Sequence, residues 1–193
     1  MDINEGERKR YQRILKIVVG YPFALLIIAI ALNIFVWGVK PLIISLPTIE
    51  FIRALIIATA LLIINHSWLM TATEIVRSRY KVFSTPEEWA TNKVKLEDAS
   101  EEGIRELKRC HDTHLNNTEN IIYYVLLCII FILCSPPTLV ADILIIGYAA
   151  SRIGYTYSFL YGKDGARGLF MSLSLLAMYC MACYLVIGLL TSN

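Results

Sequence analysis

The charged residues of this chain are confined to a few short stretches, and long apolar runs lie between them. Residues 17–39, 54–73, 120–141 and 168–193 contain no Asp, Glu, Lys or Arg, and residues 143–162 contain only Arg152. A helix of about 20 apolar residues crosses the roughly 30 Å hydrocarbon core of a bilayer. A soluble domain of 193 residues has no interior large enough for five such helices. We therefore predict an all-α integral membrane protein with five spans.

The third run needs a helix that begins outside the membrane. Residues 121–135 are too short to span by themselves. We expect this helix to start in the polar stretch before Asn120 and to end at Pro136 and Pro137, because proline lacks an amide donor and clashes with the preceding turn. The next span then begins at Thr138.

Composition excludes several classes of protein. Apolar residues make up 56% of the chain, which is incompatible with intrinsic disorder, and the net charge of +2 argues against a nucleic-acid partner. The sequence contains no P-loop, dinucleotide-binding or serine-triad motif. The first apolar run exceeds the roughly 7–15 residues of a signal-peptide core, so we predict that it is a retained helix.

Lysine and arginine fall on one side of the five predicted spans. Five lie within residues 8–16, eight within 77–109 and two within 162–167, whereas the opposite connections contain only Lys40 and Arg53. Because basic connections stay inside, we place the N-terminus and both basic loops on the cytosolic or equivalent face.

Several polar residues lie within or at the edge of the apolar runs. Burying a polar group in the membrane costs free energy, so such residues often form a functional site. Arg152 has Tyr155 at helical spacing, Arg167 precedes the last helix, and Arg77 follows Glu74 where a span leaves the membrane. A further set shares one predicted helix face at spacings of three and four: Arg109, Asp112, Asn116, Glu119 and Tyr123.

Two interpretations of this set remain open. In the first, buried ion pairs fix the helix register and are formed by Glu74, Glu119, Arg77 and Arg152. In the second, these four residues converge on a binding site near the inner membrane face. Arginine binds carboxylates through two parallel hydrogen bonds, so such a site suits an anionic or peptide-like ligand. The pair His111 and His114 is a weak metal signal without a third ligand, and we predict no metal site.

Two segments of the sequence are distinctive: residues 74–88, EIVRSRYKVFSTPEE, and residues 114–122, HLNNTENII. The first resembles the exit of the first helix, and the second the start of the second helix, in the MAPEG superfamily, the membrane-associated proteins in eicosanoid and glutathione metabolism. The likeness extends over about residues 54–190 and is greatest to the microsomal glutathione transferase and prostaglandin E synthase branches.

The resemblance implies a four-helix transmembrane domain at 54–193, with an inside loop at 77–119 and an additional N-terminal helix within 1–53. It implies a homotrimer in the endoplasmic reticulum or a mitochondrial membrane, with glutathione as co-substrate between subunits. Residues carried over for glutathione binding are Arg77, Asn116, Glu119, Arg152 and Tyr155, and Arg167 would be the catalytic arginine that stabilises the thiolate.

Departures from the family leave the function open. Four positions differ from the polar or aromatic residues that other members have there: Leu115, Phe159, Gly168 and Met171. The chain is then either a glutathione transferase or peroxidase acting on lipophilic electrophiles or lipid hydroperoxides, or a non-catalytic accessory subunit of a larger membrane complex. A non-catalytic lipid-binding regulator is a third possibility.

Overall fold

A computed structural model describes residues 5–192, which form helices and the turns between them. The helices are α1 (Glu5–Ala31), α2 (Ile49–Tyr80), α3 (Pro86–Asn92), α4 (Glu101–Leu133), α5 (Thr138–Leu160) and α6 (Asp164–Leu190). Within this range, all of these except α3 are long and apolar enough to cross a membrane. The predicted all-α integral membrane protein with five spans is confirmed.

The helix ends follow from local sequence. The Ser100 hydroxyl accepts a hydrogen bond from the Gly103 amide at 3.1 Å and so caps the N-terminus of α4. Helix α4 therefore starts well before the apolar run, as expected, and it ends before Pro136. Between α5 and α6, Gly162 has a φ of 65°, a value that glycine adopts without a steric penalty. The region 77–119 comprises the end of α2, the short α3, a 3₁₀ turn at Leu96–Asp98 and the first turns of α4.

Helix α5 lies at the centre of the bundle and packs against α2, α4 and α6. The Tyr148 side chain on α5 is fully buried and stacks on Tyr124 of α4, with ring centroids 3.9 Å apart. The Tyr124 hydroxyl also donates to the Ile145 carbonyl at 3.0 Å. Gly154 permits close contact between α5 and α6, because a Cβ at this position would lie 2.5 Å from the Phe170 ring.

Helix α1 packs along α6, outside the other four spans. The Tyr21 hydroxyl donates to Ser172 Oγ at 2.7 Å. Further along, a π-helical turn (Leu32–Trp37) continues α1, and Asn33 Nδ2 donates to the carbonyl of Cys180 at 3.1 Å. Interhelical hydrogen bonds of this kind fix the pairing of helices in a membrane. The additional N-terminal helix is therefore attached to one face of the bundle, while its assignment to a separate domain at 1–53 stays a prediction.

Candidate functional site

The centre of the candidate site is Arg152 on α5, whose side chain is fully buried. Its Nε and Nη2 donate to Asn117 Oδ1 at 2.8 and 2.6 Å, and Nη2 also donates to Asn116 Oδ1 at 2.7 Å. Asn117 Nδ2 in turn donates to Thr156 Oγ1 at 3.1 Å. Since hydrogen bonds to a charged group are the strong ones, this network fixes α4 against α5 at the level of the guanidinium group.

Arg152 has amide rather than carboxylate partners. Its contacts with Asn116 and Asn117 replace the ion pair with a glutamate that the sequence allowed. The remaining guanidinium nitrogen, Nη1, is buried without a hydrogen-bond partner in the described structure. A buried donor of this kind is costly unless something accepts from it. Within the described residues of one chain, Arg152 therefore has no ion pair with a glutamate, and its Nη1 has no protein acceptor.

Two aromatic side chains connect Arg152 to Arg167. The Arg152 Cζ atom lies 4.4 Å from the centroid of the Tyr155 ring, and that ring lies 5.7 Å from the Phe159 ring. The Arg167 Cζ atom lies 5.1 Å from the centroid of the Phe159 ring. Cation–π contacts hold both guanidinium groups over aromatic faces. Arg167 is partly exposed, and its Nη2 pairs with Asp164 at 3.3 Å.

A cavity of about 530 Å³ opens beside this row of side chains. This volume lies within the roughly 300–1,000 Å³ typical of small-molecule sites. The residues that line it come from three helices: Ile17, Val18 and Tyr21 from α1, Tyr155 and Phe159 from α5, and Arg167, Gly168, Met171 and Ser172 from α6. We refer to this cavity as the Arg167 pocket.

Arg77 and Glu119 lie apart from the residues around Arg152. The Arg77 guanidinium pairs with Glu74 on its own helix, with 2.6 Å between Nη1 and Oε1. Glu119 is exposed, on the same helix as Asn116. Within one chain the structure thus brings together Asn116, Arg152 and Tyr155, with Arg167 joined to them through Phe159.

The histidines connect α2 to α4. His114 lies edge-on to His66, with ring centroids 5.9 Å apart, and its Nε2 is 3.3 Å from Thr73 Oγ1. Across residues 5–192, no group of three or more His, Cys, Asp or Glu side chains has an arrangement that could hold a metal ion. The contact between the His66 and His114 rings packs α2 against α4.

Asn117 contacts Arg152, but the spacing of polar residues along the predicted helix does not identify it as part of the site. It lies next to Asn116 on α4, about 100° around the helix, and outside the polar face defined by Arg109 and Glu119. A signal was present in the sequence, since two adjacent asparagines precede an apolar run. Only the position of α5 decides which of them accepts two hydrogen bonds from Arg152.

The sequence model of the MAPEG family matches residues 55–187, and the chain belongs to this family. It is thus an integral membrane protein of the type found in glutathione and eicosanoid metabolism. Helix α1 lies outside the matched region. No curated protein matches the sequence.

The two segments that carry the family resemblance have clear structural roles. In the first, Thr85 caps α3 by accepting from the Glu88 amide at 3.2 Å, and Pro86 occupies the first helical position. In the second, Asn116 and Asn117 bind Arg152. The first segment thus begins α3, in the connection between α2 and α4, and the second fixes α4 on α5.

Proposed function

We propose that the protein is a membrane-bound glutathione transferase or peroxidase that acts on lipophilic electrophiles or lipid hydroperoxides. The observation that carries this proposal is an apolar pocket lined by Arg167, Tyr155 and Phe159, with the buried Arg152 in contact with the Tyr155 ring. The Arg167 cation suits an anionic tripeptide, and the apolar lining suits the second substrate. Glutathione is the co-substrate that membership of the MAPEG family supports.

Each residue has a distinct role in this proposal. Arg152 offers its unpartnered Nη1 to a glutathione carboxylate, while Asn116 and Asn117 hold its other nitrogens. The Tyr155 ring contacts the Arg152 guanidinium group and lines the pocket, which Arg152 itself does not line. These residues bind and orient the co-substrate, whereas Arg167 acts at its sulfur.

Arg167 stabilises the thiolate. A free thiol has a pKa near 8.5 and is mostly protonated at pH 7, and only the thiolate is nucleophilic. A fixed guanidinium group next to the sulfur lowers the thiol pKa, and each unit of lowering corresponds to about 1.4 kcal/mol. In a conjugation, the sulfur forms a bond to the electrophilic carbon and the leaving group departs with the electron pair.

Arg77 and Glu119 require a second subunit in this proposal. Both lie on parts of α2 and α4 that do not reach the Arg167 pocket of their own chain. We propose that they complete the site of a neighbouring subunit in a homotrimer. We further propose that the basic loops and these sites lie at the cytosolic face, which the distribution of Lys and Arg supports. The membrane that we propose is that of the endoplasmic reticulum or a mitochondrion.

A non-catalytic accessory subunit is the second candidate function. One observation favours it: α1 covers part of α6 and would alter any oligomer contact made through that face. Native mass spectrometry in mild detergent separates the two functions. An assembly of three protomers supports the enzyme, whereas stable association with other membrane subunits and no trimer supports the accessory role.

The proposed activity is tested by the ultraviolet absorbance of bound thiolate and by conjugation of chlorodinitrobenzene. We expect wild type to show the thiolate absorbance and the conjugation, and Arg167→Ala to lose both signals. Arg105→Ala should retain both signals, because Arg105 is an exposed arginine in the basic loop region that we place on the same side of the membrane. If wild type shows neither signal, or Arg167→Ala retains both, the assigned chemistry is wrong.

A further inference from the structure

The connection between α1 and α2 has an apolar surface that the proposed function does not use. Residues 41–49, PLIISLPTI, contain no Asp, Glu, Lys or Arg. Four of their aliphatic side chains lie largely outside the protein, since Ile43 is 70%, Ile44 83%, Leu46 87% and Ile49 75% exposed. Exposed apolar side chains in succession indicate a contact with lipid or with a partner. We call residues 41–49 the outer segment, because they lie at the end of the bundle opposite the basic loops.

The outer segment is bound to the ends of two helices. The Leu42 amide donates to Ser192 Oγ at 2.8 Å, and the Ser45 amide donates to the Leu133 carbonyl at 3.0 Å. The Leu42 side chain also packs on Gly188, where a Cβ would collide with it. The two prolines of the segment have no amide donor to satisfy. The backbone is therefore fixed across the ends of α4 and α6, while its aliphatic side chains point away from the protein.

Helix lengths place the outer segment at the edge of the hydrocarbon. Residues 54–73 of α2 are uncharged and extend about 30 Å as a helix, which is the thickness of the hydrocarbon core, so Arg53 marks its outer boundary. On α6, Gly188 lies about 30 Å along the axis from Arg167. Because Leu42 contacts Gly188, both helices give the segment the same depth, where acyl chains meet headgroups.

The apolar surface of the outer segment continues the lipid-facing surface of the two neighbouring spans. Phe35 and Val36 are exposed at the end of the first span, and Ile56 is exposed in the second. Trp37 lies between the first span and the segment, at the depth where tryptophan is enriched in membrane proteins. Lipid covers the exposed side chains on both sides of the segment, and this continuity favours lipid as its occupant over a soluble protein.

We propose that the outer segment is a membrane anchor, whose Ile43, Ile44, Leu46 and Ile49 side chains insert into the leaflet opposite the basic loops. Since the backbone is already held by α4 and α6, insertion requires no ordering of a flexible loop. The anchor fixes the depth of this end of the bundle and joins α1 to it. It does not rest on the proposed function, because no step of the argument involves glutathione or Arg167 chemistry.

The test places a fluorescent NBD label on single-cysteine variants of the full-length protein in phosphatidylcholine nanodiscs. Ile44→Cys and Leu46→Cys report on the outer segment. Ile27→Cys, in the middle of the first span, is the control in hydrocarbon, and Arg105→Cys is the control in water. These positions are all exposed, so the label does not disturb packing. Wild type is the blank, because its five cysteines are buried.

Two kinds of quencher measure where the labels lie. We expect iodide to quench the labels at residues 44 and 46 at least threefold less than the label at residue 105. A lipid nitroxide near the headgroup end of the acyl chain should quench them more than one near the chain terminus, and the label at residue 27 should show the reverse order. Iodide quenching equal to that of Arg105→Cys, or no quenching by either nitroxide, would overturn the anchor and leave this surface to a protein partner.

A pair of double variants tests whether lipid contact holds the segment at this depth. With the label at Leu46→Cys, Ile43→Asp/Ile44→Asp should raise iodide quenching at least threefold, because two carboxylates do not enter hydrocarbon. Ile43→Val/Ile44→Val, which keeps both side chains aliphatic, should leave the quenching unchanged. Equal quenching in the two double variants would show that the protein alone positions residue 46, and the role of anchor would be wrong.

Discussion

Substitution of Asn117 by alanine should destabilise the protein more than the same substitution of Asn116. Asn117 Oδ1 accepts two hydrogen bonds from Arg152, and Asn117 Nδ2 donates to Thr156, whereas Asn116 accepts one bond from Arg152. Both variants remove the same atoms from adjacent positions of α4. The difference between them therefore reports the buried network rather than helix propensity.

The magnitude follows from these contacts. A hydrogen bond to a charged group contributes about 1.5–3 kcal/mol and a neutral one about 1 kcal/mol. Because the two Arg152 bonds to Asn117 share one acceptor, we count them together as about 3 kcal/mol, which gives a total of about 3–4 kcal/mol. Loss of the single bond to Asn116 costs about 2 kcal/mol.

The assay is thermal unfolding in mild detergent, followed by intrinsic fluorescence. At about 2–4 °C per kcal/mol for a chain of this size, Asn117→Ala should lower Tm by about 6–16 °C and Asn116→Ala by about 4–8 °C. Asn120→Ala is the control, because Asn120 donates only to a carbonyl of its own helix. An equal or larger loss in Asn116→Ala would refute the assignment of Asn117 as the main partner of Arg152.

Two further predictions concern helix packing. Gly154→Val should lower the unfolding free energy by about 1–3 kcal/mol, because its Cβ would collide with the Phe170 ring and overpacking forces the helices apart. Gly147→Val, with no atom within 4 Å of a built Cβ, should change Tm much less, and equal shifts would contradict the close contact of α5 and α6. Asn33→Leu should cost about 0.6–1.7 kcal/mol because it removes a hydrogen bond between α1 and α6. Limited proteolysis should then release the N-terminal segment faster than in wild type, and an unchanged rate would contradict this attachment.

The sequence predicted the fold well because charge segregation depends on the bilayer and not on packing detail. Apolar runs of sufficient length give spans, Pro136 and Pro137 end α4, and the polar stretch that follows Ser100 extends α4 out of the membrane. Each of these features is local in the chain. The five spans and the early start of α4 were therefore predictable.

The partners of the site residues were less predictable, because they depend on how neighbouring helices are rotated. Helical spacing places Asn116 and Glu119 on one face, yet α5 contacts only part of that face and Glu119 stays exposed. Spacing also gives no reason to expect Asn117 on Arg152. The carried-over roles of Arg77 and Glu119 stay predictions that depend on a neighbouring subunit.

The contribution of α1 to the Arg167 pocket could not be predicted for a related reason. Because α1 lies outside the region that matches the family, the resemblance does not indicate which helix it contacts. Its apolar surface can pack on any lipid-facing helix. The contact between Tyr21 and Ser172 joins residues far apart in the chain. Only the structure shows that Val18 and Arg167 line the same cavity.

In the proposed function, the site binds glutathione and Arg167 holds its sulfur as the thiolate. Calorimetric titration of glutathione into the purified protein near pH 7, in two buffers of different ionisation enthalpy, measures both binding and proton release. We expect wild type to bind glutathione and to release a large fraction of one proton, because a thiol with a pKa near 8.5 starts out protonated. Arg167→Ala should release much less. Absence of binding in wild type, or binding without proton release, would contradict the proposed function.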